Sequence, residues 1–358
     1  MRMLIPRIRQ NMLFFLTFVS SSVMGECIDV YGVDAKEGQI ILKQYTPQLT
    51  KMMQVLYAGV KNDFDGFFNT PSGQQWREER RVLIEKIKAQ HHYAHVDFDT
   101  TYYSKDEYCT TIEIVKSDEQ ERCRYLPDKR EHHYPKTHDI MDVMQDYLVI
   151  GHQLFLSNQI QPKHAECPVY HCTMGFVHRK LKPYLERFNT AAVEDRQFIL
   201  NTLKDDLNPT RRAAAAYLVG HFRDPHDIVD TLISHVEDDD EGVRNNVIRV
   251  LSLTTEKAHI TDLNPTPFIH LLTSPLSTDR NKSLFLLSVL AESASTKRYL
   301  IQDAKTPLLN ILRMQQPNQH DFAYEILKKI SGQDFGSTND ILWENWFDKH
   351  QGLEPQDA

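Results

Sequence analysis

The pattern of apolar and polar positions repeats along the chain after about residue 193. Apolar residues there recur at helical spacing in four pairs of short segments. The first segments of the four pairs contain Leu203, Leu232, Leu272 and Leu312. The second segments contain Leu218, Leu251, Leu287 and Leu327. Such a repeat predicts an α-solenoid, because one helix pair cannot cover its own apolar face and stacked neighbours supply the core.

A polar signature marks the start of the second helices. Asp206 and Arg211 are five residues apart, and Asp239 and Arg244 have the same spacing. Arg280 occupies the corresponding slot in the third unit. We expect each arginine to bond to an Asp or to carbonyl groups of the adjacent inter-helix turns, which would form a structural ladder. The alternative is that these arginines line a ligand surface.

The Asp-x4-Arg pattern, followed by the alanine-rich run 213–216, resembles HEAT repeats, especially the short bacterial class also seen in phycobilin lyases. The resemblance covers residues 193–331, although Pro275 replaces the Asp in the third unit and His320 occupies the arginine slot in the fourth. It implies a mainly α, armadillo-like solenoid that binds a protein partner; the lyases suggest chromophore or small-ligand handling as another function. In this resemblance second helices line the concave side, so the expected recognition residues are Arg212, Asn245, Arg249, Asn281 and Lys282.

Residues 26–125 predict a small α+β domain. Cys27–Val33 alternates like a strand, Pro47 is expected to break the following helix, and Trp76–Gln90 forms an amphipathic helix. Two strand-like runs follow, His95–Asp99 and Thr110–Val115. This order resembles the polypeptide-transport-associated (POTRA) modules of envelope proteins, which implies a sheet edge open to a partner strand. Any small α+β sandwich is the alternative.

The remaining segments complete the expected domain organisation. Residues 126–192 predict a linker, a helix and a cysteine-containing loop. Residues 332–350 contain a short aromatic helix with Trp343 and Trp346, which we expect to cap the last repeat. The alternative is that this tryptophan pair binds a partner. Residues 351–358 are a polar tail.

Residues 1–25 have the layout of a secretory signal. Three arginines precede the apolar run Met12–Val19, and small residues follow, with cleavage expected after Gly25. The apolar run is shorter than the roughly 20 residues that span a bilayer. We therefore predict a periplasmic or secreted protein with no membrane span after cleavage. An uncleaved anchor or a buried N-terminal helix is the alternative.

The charge of the chain bears on the class of partner. The formal net charge is −8, and removal of three arginines with residues 1–25 takes it to −11. An acidic chain disfavours general binding to a phosphate backbone, so we expect a protein partner and no nucleic acid. The sequence leaves the oligomeric state open.

The middle of the chain, residues 91–178, is rich in histidine and cysteine. Cys167 and Cys172 predict a short disulfide loop in an exported chain. Their spacing to His164 and His171 also allows a zinc site, although adjacent ligands at 171 and 172 are sterically awkward. This region carries the alternative function, a metal-binding or hydrolytic protein.

The other cysteines leave two pairings open, Cys27–Cys109 and Cys109–Cys123, and one odd thiol in either case.

Catalytic signatures are missing from the sequence. It contains no Gly-x-Ser-x-Gly, no His-Glu-x-x-His and no glycine-rich phosphate loop. The acidic run 237–241 could suggest calcium, but it lacks the twelve-residue calcium-loop pattern and fits a solvated turn before a helix. We therefore predict no catalytic residue, no metal and no cofactor.

Overall fold

The computed structural model describes residues 26–60, 64–104, 107–126, 134–135, 137–157, 159–160 and 167–351. The predicted signal segment 1–25 and all of the polar tail except Gln351 lie outside these residues. Within the described residues, no helix combines the length and the apolar character needed to cross a membrane.

Three strands and fifteen helices make up the described chain. The strands are β1 (Glu26–Tyr31), β2 (His95–Ser104) and β3 (Glu107–Val115). The helices before the repeats are α1 (Ala35–Val60), α2 (Phe64–Phe67), α3 (Pro71–His91), α4 (Ile140–Leu156) and α5 (Lys182–Glu194). The remaining helices are α6 (Arg196–Asp205), α7 (Pro209–Val219), α8 (Pro225–Leu232), α9 (Glu241–Ala258), α10 (Thr266–Leu271), α11 (Ser277–Leu290), α12 (Ala294–Asp303), α13 (Lys305–Leu312), α14 (Pro317–Ser331) and α15 (Asp340–His350).

The strands form one mixed sheet in the order β1-β3-β2. β1 pairs in parallel with β3, with Cys27 opposite Cys109, and β2 pairs antiparallel with β3. One face packs on α1 and α3, where Ile112 and Ile114 join the apolar cluster of these helices. Because successive side chains point to opposite faces, Thr111 and Glu113 lie on the other face, yet both are also buried. The sheet is therefore covered on both sides.

We call residues 26–125 the N-terminal module. Pro47 does not break the first helix of this module. α1 runs continuously from Ala35 to Val60 with Pro47 inside it. The prediction of a break was wrong because packing offsets the lost hydrogen bond. Tyr45, Leu49 and Met52 flank the proline and are all buried in the cluster beneath the sheet.

Four helix pairs follow the predicted repeat, with contacts between the members of each pair. The pairs are α6/α7, α8/α9, α10/α11 and α13/α14. The second helices also contact one another in the order α7, α9, α11, α14, so they form a continuous layer. α12 is an additional helix between the third and fourth pairs, and it contacts α10, α13 and α14. This insertion accounts for the longer interval between Arg280 and His320.

The hydrophobic core of the repeats extends beyond the predicted limits. It begins with Met141 and Met144 on α4, which packs on α7, and it includes Phe188 on α5. At the other end, Trp343 and Phe347 of α15 are fully buried. α15 contacts α13, and Gly332 ends the last repeat helix in the left-handed conformation. The chain is thus mainly α, a HEAT-like α-solenoid preceded by a small α+β module.

Candidate recognition surface

The slot arginines bond to the turns between helices. The Arg211 Nε donates to Asp206 Oδ2 at 2.7 Å. In the next two units Arg244 donates to the Asp238 carbonyl and Arg280 to the Ser274 carbonyl, both at 2.7 Å. These geometries confirm the predicted ladder. We call Arg211, Arg244 and Arg280 the arginine ladder.

The ladder also joins consecutive units. Arg244 donates to both carboxylate oxygens of Asp279 in the following unit, at 3.1 and 2.9 Å, and both side chains are fully buried. Arg280 donates to the Gln319 side-chain carbonyl at 2.9 Å. The acidic partner of Arg244 therefore lies in the following unit, whereas the sequence pattern predicted one five residues upstream. Charge-assisted bonds of this kind fix the offset between neighbouring helix pairs.

Each ladder arginine also bonds to a residue that precedes the repeats. Arg211 pairs with Asp139 at 2.8 Å, and this bond raises the pKa of Arg211. Arg244 donates to the Tyr125 carbonyl at 2.8 Å. Arg280 pairs with Glu113 of β3 at 2.7 Å and lies over the Tyr31 ring at 3.8 Å. Because a guanidinium has five N–H donors, one arginine can bond both to the inter-helix turns and to the chain that precedes the repeats. The ladder thus attaches the preceding chain to the solenoid.

The second face of the sheet docks beside the ladder. The Tyr31 hydroxyl donates to the Leu272 carbonyl at 2.5 Å. The Asp29 carboxylate accepts the backbone N–H groups of Gln315 and Gln316, each at 2.8 Å. Burial raises the pKa of Asp29, and these backbone bonds oppose the shift. The polar face of the sheet therefore meets the polar edge of the repeats.

Arg212 is part of the same edge. Its guanidinium binds Asp238 through two hydrogen bonds, at 2.7 and 3.0 Å, and also donates to the Asp206 carbonyl. The Arg212 and Asp238 side chains are 14% and 10% exposed. Arg212 was predicted to belong to an exposed recognition face. The structure instead places it beside the arginine ladder, where it forms further hydrogen bonds between neighbouring helix pairs.

Asn281 and Lys282 are the clearest departures from the predicted recognition face. Each is only 4% exposed, so the prediction that they are exposed was wrong. Asn281 donates to the Asn318 carbonyl of α14, and Lys282 donates to the Asn281 side chain at 2.8 Å. The close packing of α11 against α14 covers positions that the repeat pattern alone leaves polar.

Asn245 and Arg249 are the remaining predicted recognition residues. Both are half-buried and lie one turn apart on α9, where Arg249 Nε donates to Asn245 Oδ1 at 3.4 Å. They form a small polar pair, separate from the ladder. The five predicted residues therefore do not make one continuous open surface. Their role in binding stays a prediction.

The cysteine loop has the predicted disulfide. Cys167 and Cys172 are bonded, with their Cα atoms 5.5 Å apart, and Lys257 of α9 donates to the Val169 carbonyl within the loop. His171 is buried and stacks on Tyr217 at 4.8 Å. Burial lowers the pKa of His171 well below its ordinary value. The histidine is held in the core, and His164 lies outside the described residues.

The first and second cysteines of the chain form the other disulfide, Cys27–Cys109, which closes a separation of 82 residues. A loop of this length is expected to stabilise the fold by about 4 kcal/mol. Cys123 is the free thiol. Among the described residues, the only cluster with metal-ligand spacing is Cys27, Asp29 and Cys109. Its two thiols are joined to each other, and Asp29 is engaged by the backbone of Gln315 and Gln316.

The sequence prediction missed a groove along α5, which we call the α5 groove. Its volume is about 840 Å³, and its lining includes Arg179, Lys182, Asn189 and Arg223. Asn189 is held by the buried His221, whose Nδ1 lies 2.9 Å from the amide oxygen. Burial lowers the pKa of His221 to about 4. The signal in the sequence was the basic run from His178 to Lys182 in an otherwise acidic chain.

Comparison with known families bears on the repeats alone. A family model described as HEAT repeats matches residues 197–265. This span includes α6 except its first residue, all of α7, α8 and α9, and the ladder residues Arg211 and Arg244. No curated protein and no solved structure matches the chain. The HEAT assignment therefore rests on the first two units. The resemblances to the lyase-type class and to POTRA modules stay predictions.

Proposed function

We propose that the protein is an exported, non-enzymatic scaffold that binds a protein partner through the surface of its HEAT-like solenoid. The observation that carries this proposal is the continuous core from α4 to α15 together with the ladder bonds to the N-terminal module. A body built in this way presents a preorganised surface, which lowers the entropic cost of binding. HEAT repeats also commonly mediate protein interactions.

The net charge supports a protein partner, and the disulfide-bonded cysteines support an exported location. An acidic chain, at −8 or −11 after removal of residues 1–25, is poorly suited to nucleic acid as a general ligand. Two disulfide-bonded pairs are typical of proteins that fold in an oxidising compartment. Together with the signal-like segment 1–25, they favour the periplasm or secretion.

The alternative, a metal-binding or hydrolytic protein built on residues 91–178, receives less support from the geometry. A zinc site there would use Cys167 and Cys172 as thiolates, but these residues are bonded to each other. His171 faces Tyr217 in the core. Elemental analysis of the untagged protein decides between the two functions. Stoichiometric metal, with Cys167 and Cys172 found reduced, would favour the alternative.

Crosslinking in the native envelope followed by capture of the full chain tests the scaffold itself. We expect one partner to be retained in a fixed ratio and to crosslink to the solenoid helices. Intact mass of the captured chain should correspond to loss of residues 1–25. Recovery of the chain from the cytosol at full length would refute export. Turnover of a substrate that is abolished by a single His or Cys substitution would refute the non-enzymatic part.

A further inference from the structure

The cations of the α5 groove differ from the arginines of the ladder in what they bind. Within the described part of the chain, Arg179, Lys182 and Arg223 line the groove and form no ion pair or side-chain hydrogen bond. All three are exposed, as are the neighbouring Lys180 and Arg187. Exposed, unpaired charges attract an oppositely charged partner without first breaking an internal bond.

One polar side chain of the groove is held in place by a buried residue. α5 contributes Lys182, Glu186, Asn189 and Val193 from one stripe, at spacings of three to four residues. Asn189 is anchored by His221, which is buried and keeps a low pKa. A neutral imidazole holds the amide in place without adding charge. Asn189 therefore offers a fixed amide group to a ligand, the kind of group that hydrogen-bonds a peptide backbone.

The length of α5 suits an extended peptide lying along it. α5 has thirteen residues, which corresponds to a length of about 20 Å. An extended chain covers that distance with about six residues. Leu185 and Val193 add apolar surface between the charges.

We propose that the α5 groove binds an acidic, extended segment of a protein partner, with carboxylates at Arg179, Lys182 and Arg223 and the peptide backbone at Asn189. This inference rests on the proposed scaffold function and names the chemistry of the partner. Glu186 and Glu194 also line the groove. The negative charges of these two residues disfavour a ligand segment in which every residue is acidic. The proposed segment therefore carries carboxylates at spaced positions.

Fluorescence anisotropy with the full chain tests this proposal. The probe is a labelled peptide that alternates Glu and Ser, and the matched control replaces each Glu with Gln. We expect binding of the Glu peptide alone, and weakening at about 0.5 M salt because exposed charges are screened. Arg179→Glu combined with Arg223→Glu should weaken binding about tenfold or more, as expected when two exposed ion pairs become repulsive.

The matched control variant combines Lys51→Glu with Arg298→Glu. Both residues are exposed, and neither has a bonded partner in the described chain. This variant has the same net charge as the groove variant, so it should bind the Glu peptide like the wild type. Equal urea midpoints would show that both variants fold. Equal weakening in both variants, or equal binding of the Glu and Gln peptides, would overturn the proposal.

Two further measurements separate this inference from the scaffold proposal. If the envelope partner binds the wild type and the Arg179→Glu/Arg223→Glu variant equally, the groove assignment fails while the scaffold stands. If anionic phosphatidylglycerol vesicles bind in an Arg179- and Arg223-dependent manner and the Glu peptide does not, the surface is a lipid site and the inference is wrong. Groove-dependent binding of both the peptide and the partner supports it.

Discussion

The arginine ladder and the α5 groove contain the same type of side chain in opposite settings. Arg244 and Arg280 are fully buried, and their donors are taken up by carbonyl and carboxylate oxygens from three parts of the chain. Arg179 and Arg223 are exposed and form no such bonds within the described residues. The contrast separates two uses of arginine, one that holds the molecule together and one that leaves charge available to a partner.

The buried histidine His221 adds a third environment for a basic side chain to this comparison. The desolvation of the Arg280 guanidinium in the core is compensated by Glu113 and two further oxygen acceptors. His221 has only the neutral Asn189 amide beside it, and burial lowers its pKa, so its neutral form is favoured. The buried arginine therefore has charged and carbonyl partners, whereas the buried histidine has a neutral one.

The largest expected effect is on the ladder. Arg280→Met removes the partner of Glu113 and leaves that carboxylate buried without its cation. We expect the free energy of unfolding to fall by about 3–5 kcal/mol, measured by urea denaturation. Arg298→Gln on the surface is the control and should change it by less than about 0.5 kcal/mol. Adding Glu113→Gln to Arg280→Met should recover part of the loss. A small effect of Arg280→Met alone would mean that the ladder does not stabilise the docked module.

The second prediction concerns pH. Folded His221 stays neutral down to about pH 4, whereas the unfolded chain takes up this proton near its ordinary pKa of 6.5. The unfolded state therefore binds more protons between these values, and acidification favours unfolding. Between pH 7 and pH 4, the wild type should lose about 3 kcal/mol more than His221→Gln. The exposed His226→Gln is the control. Parallel pH profiles for the wild type and His221→Gln would contradict the neutral assignment.

An intermediate effect is expected at Arg212, which is bonded but only partly buried. Asp238→Asn removes the charge that binds both guanidinium donors. The free energy of unfolding should fall by about 2 kcal/mol, as for hydrogen bonds to charged groups. Asp230→Asn, at an exposed site on α8, is the matched control and should have little effect. Equal effects of the two substitutions would place Arg212 with the surface residues.

The smallest effect on stability is expected in the α5 groove. Arg179→Gln should change the free energy of unfolding by less than about 0.5 kcal/mol, because no internal bond is lost. The same substitution should still weaken binding of the Glu peptide. A large loss of stability without a change in binding would move Arg179 from the recognition group to the structural group, and the comparison would fail.

The local features of this protein follow from short-range patterns along the chain. The helical spacing of apolar residues predicted the four pairs, and the recurring Arg slot predicted the ladder, because both depend on periodicity within a few turns of helix. The five-residue separation of Cys167 and Cys172 in a chain with a signal-like segment predicted their disulfide, and this spacing is also a local feature. Gly332 ends α14 because glycine readily adopts the left-handed conformation, which is a preference of the residue itself.

The hydrogen-bond partners of the buried polar residues depend instead on long-range packing. The bond between Glu113 and Arg280 joins positions 167 residues apart, and no local pattern marks such a pair. The burial of Asn281 and Lys282 and the continuous α1 through Pro47 likewise depend on neighbouring elements rather than on local preference. The α5 groove also needs Arg223, which the fold brings to α5 from beyond α7. Periodicity fixes which face of a helix is apolar, but the packing of distant elements decides which polar groups stay open to a partner.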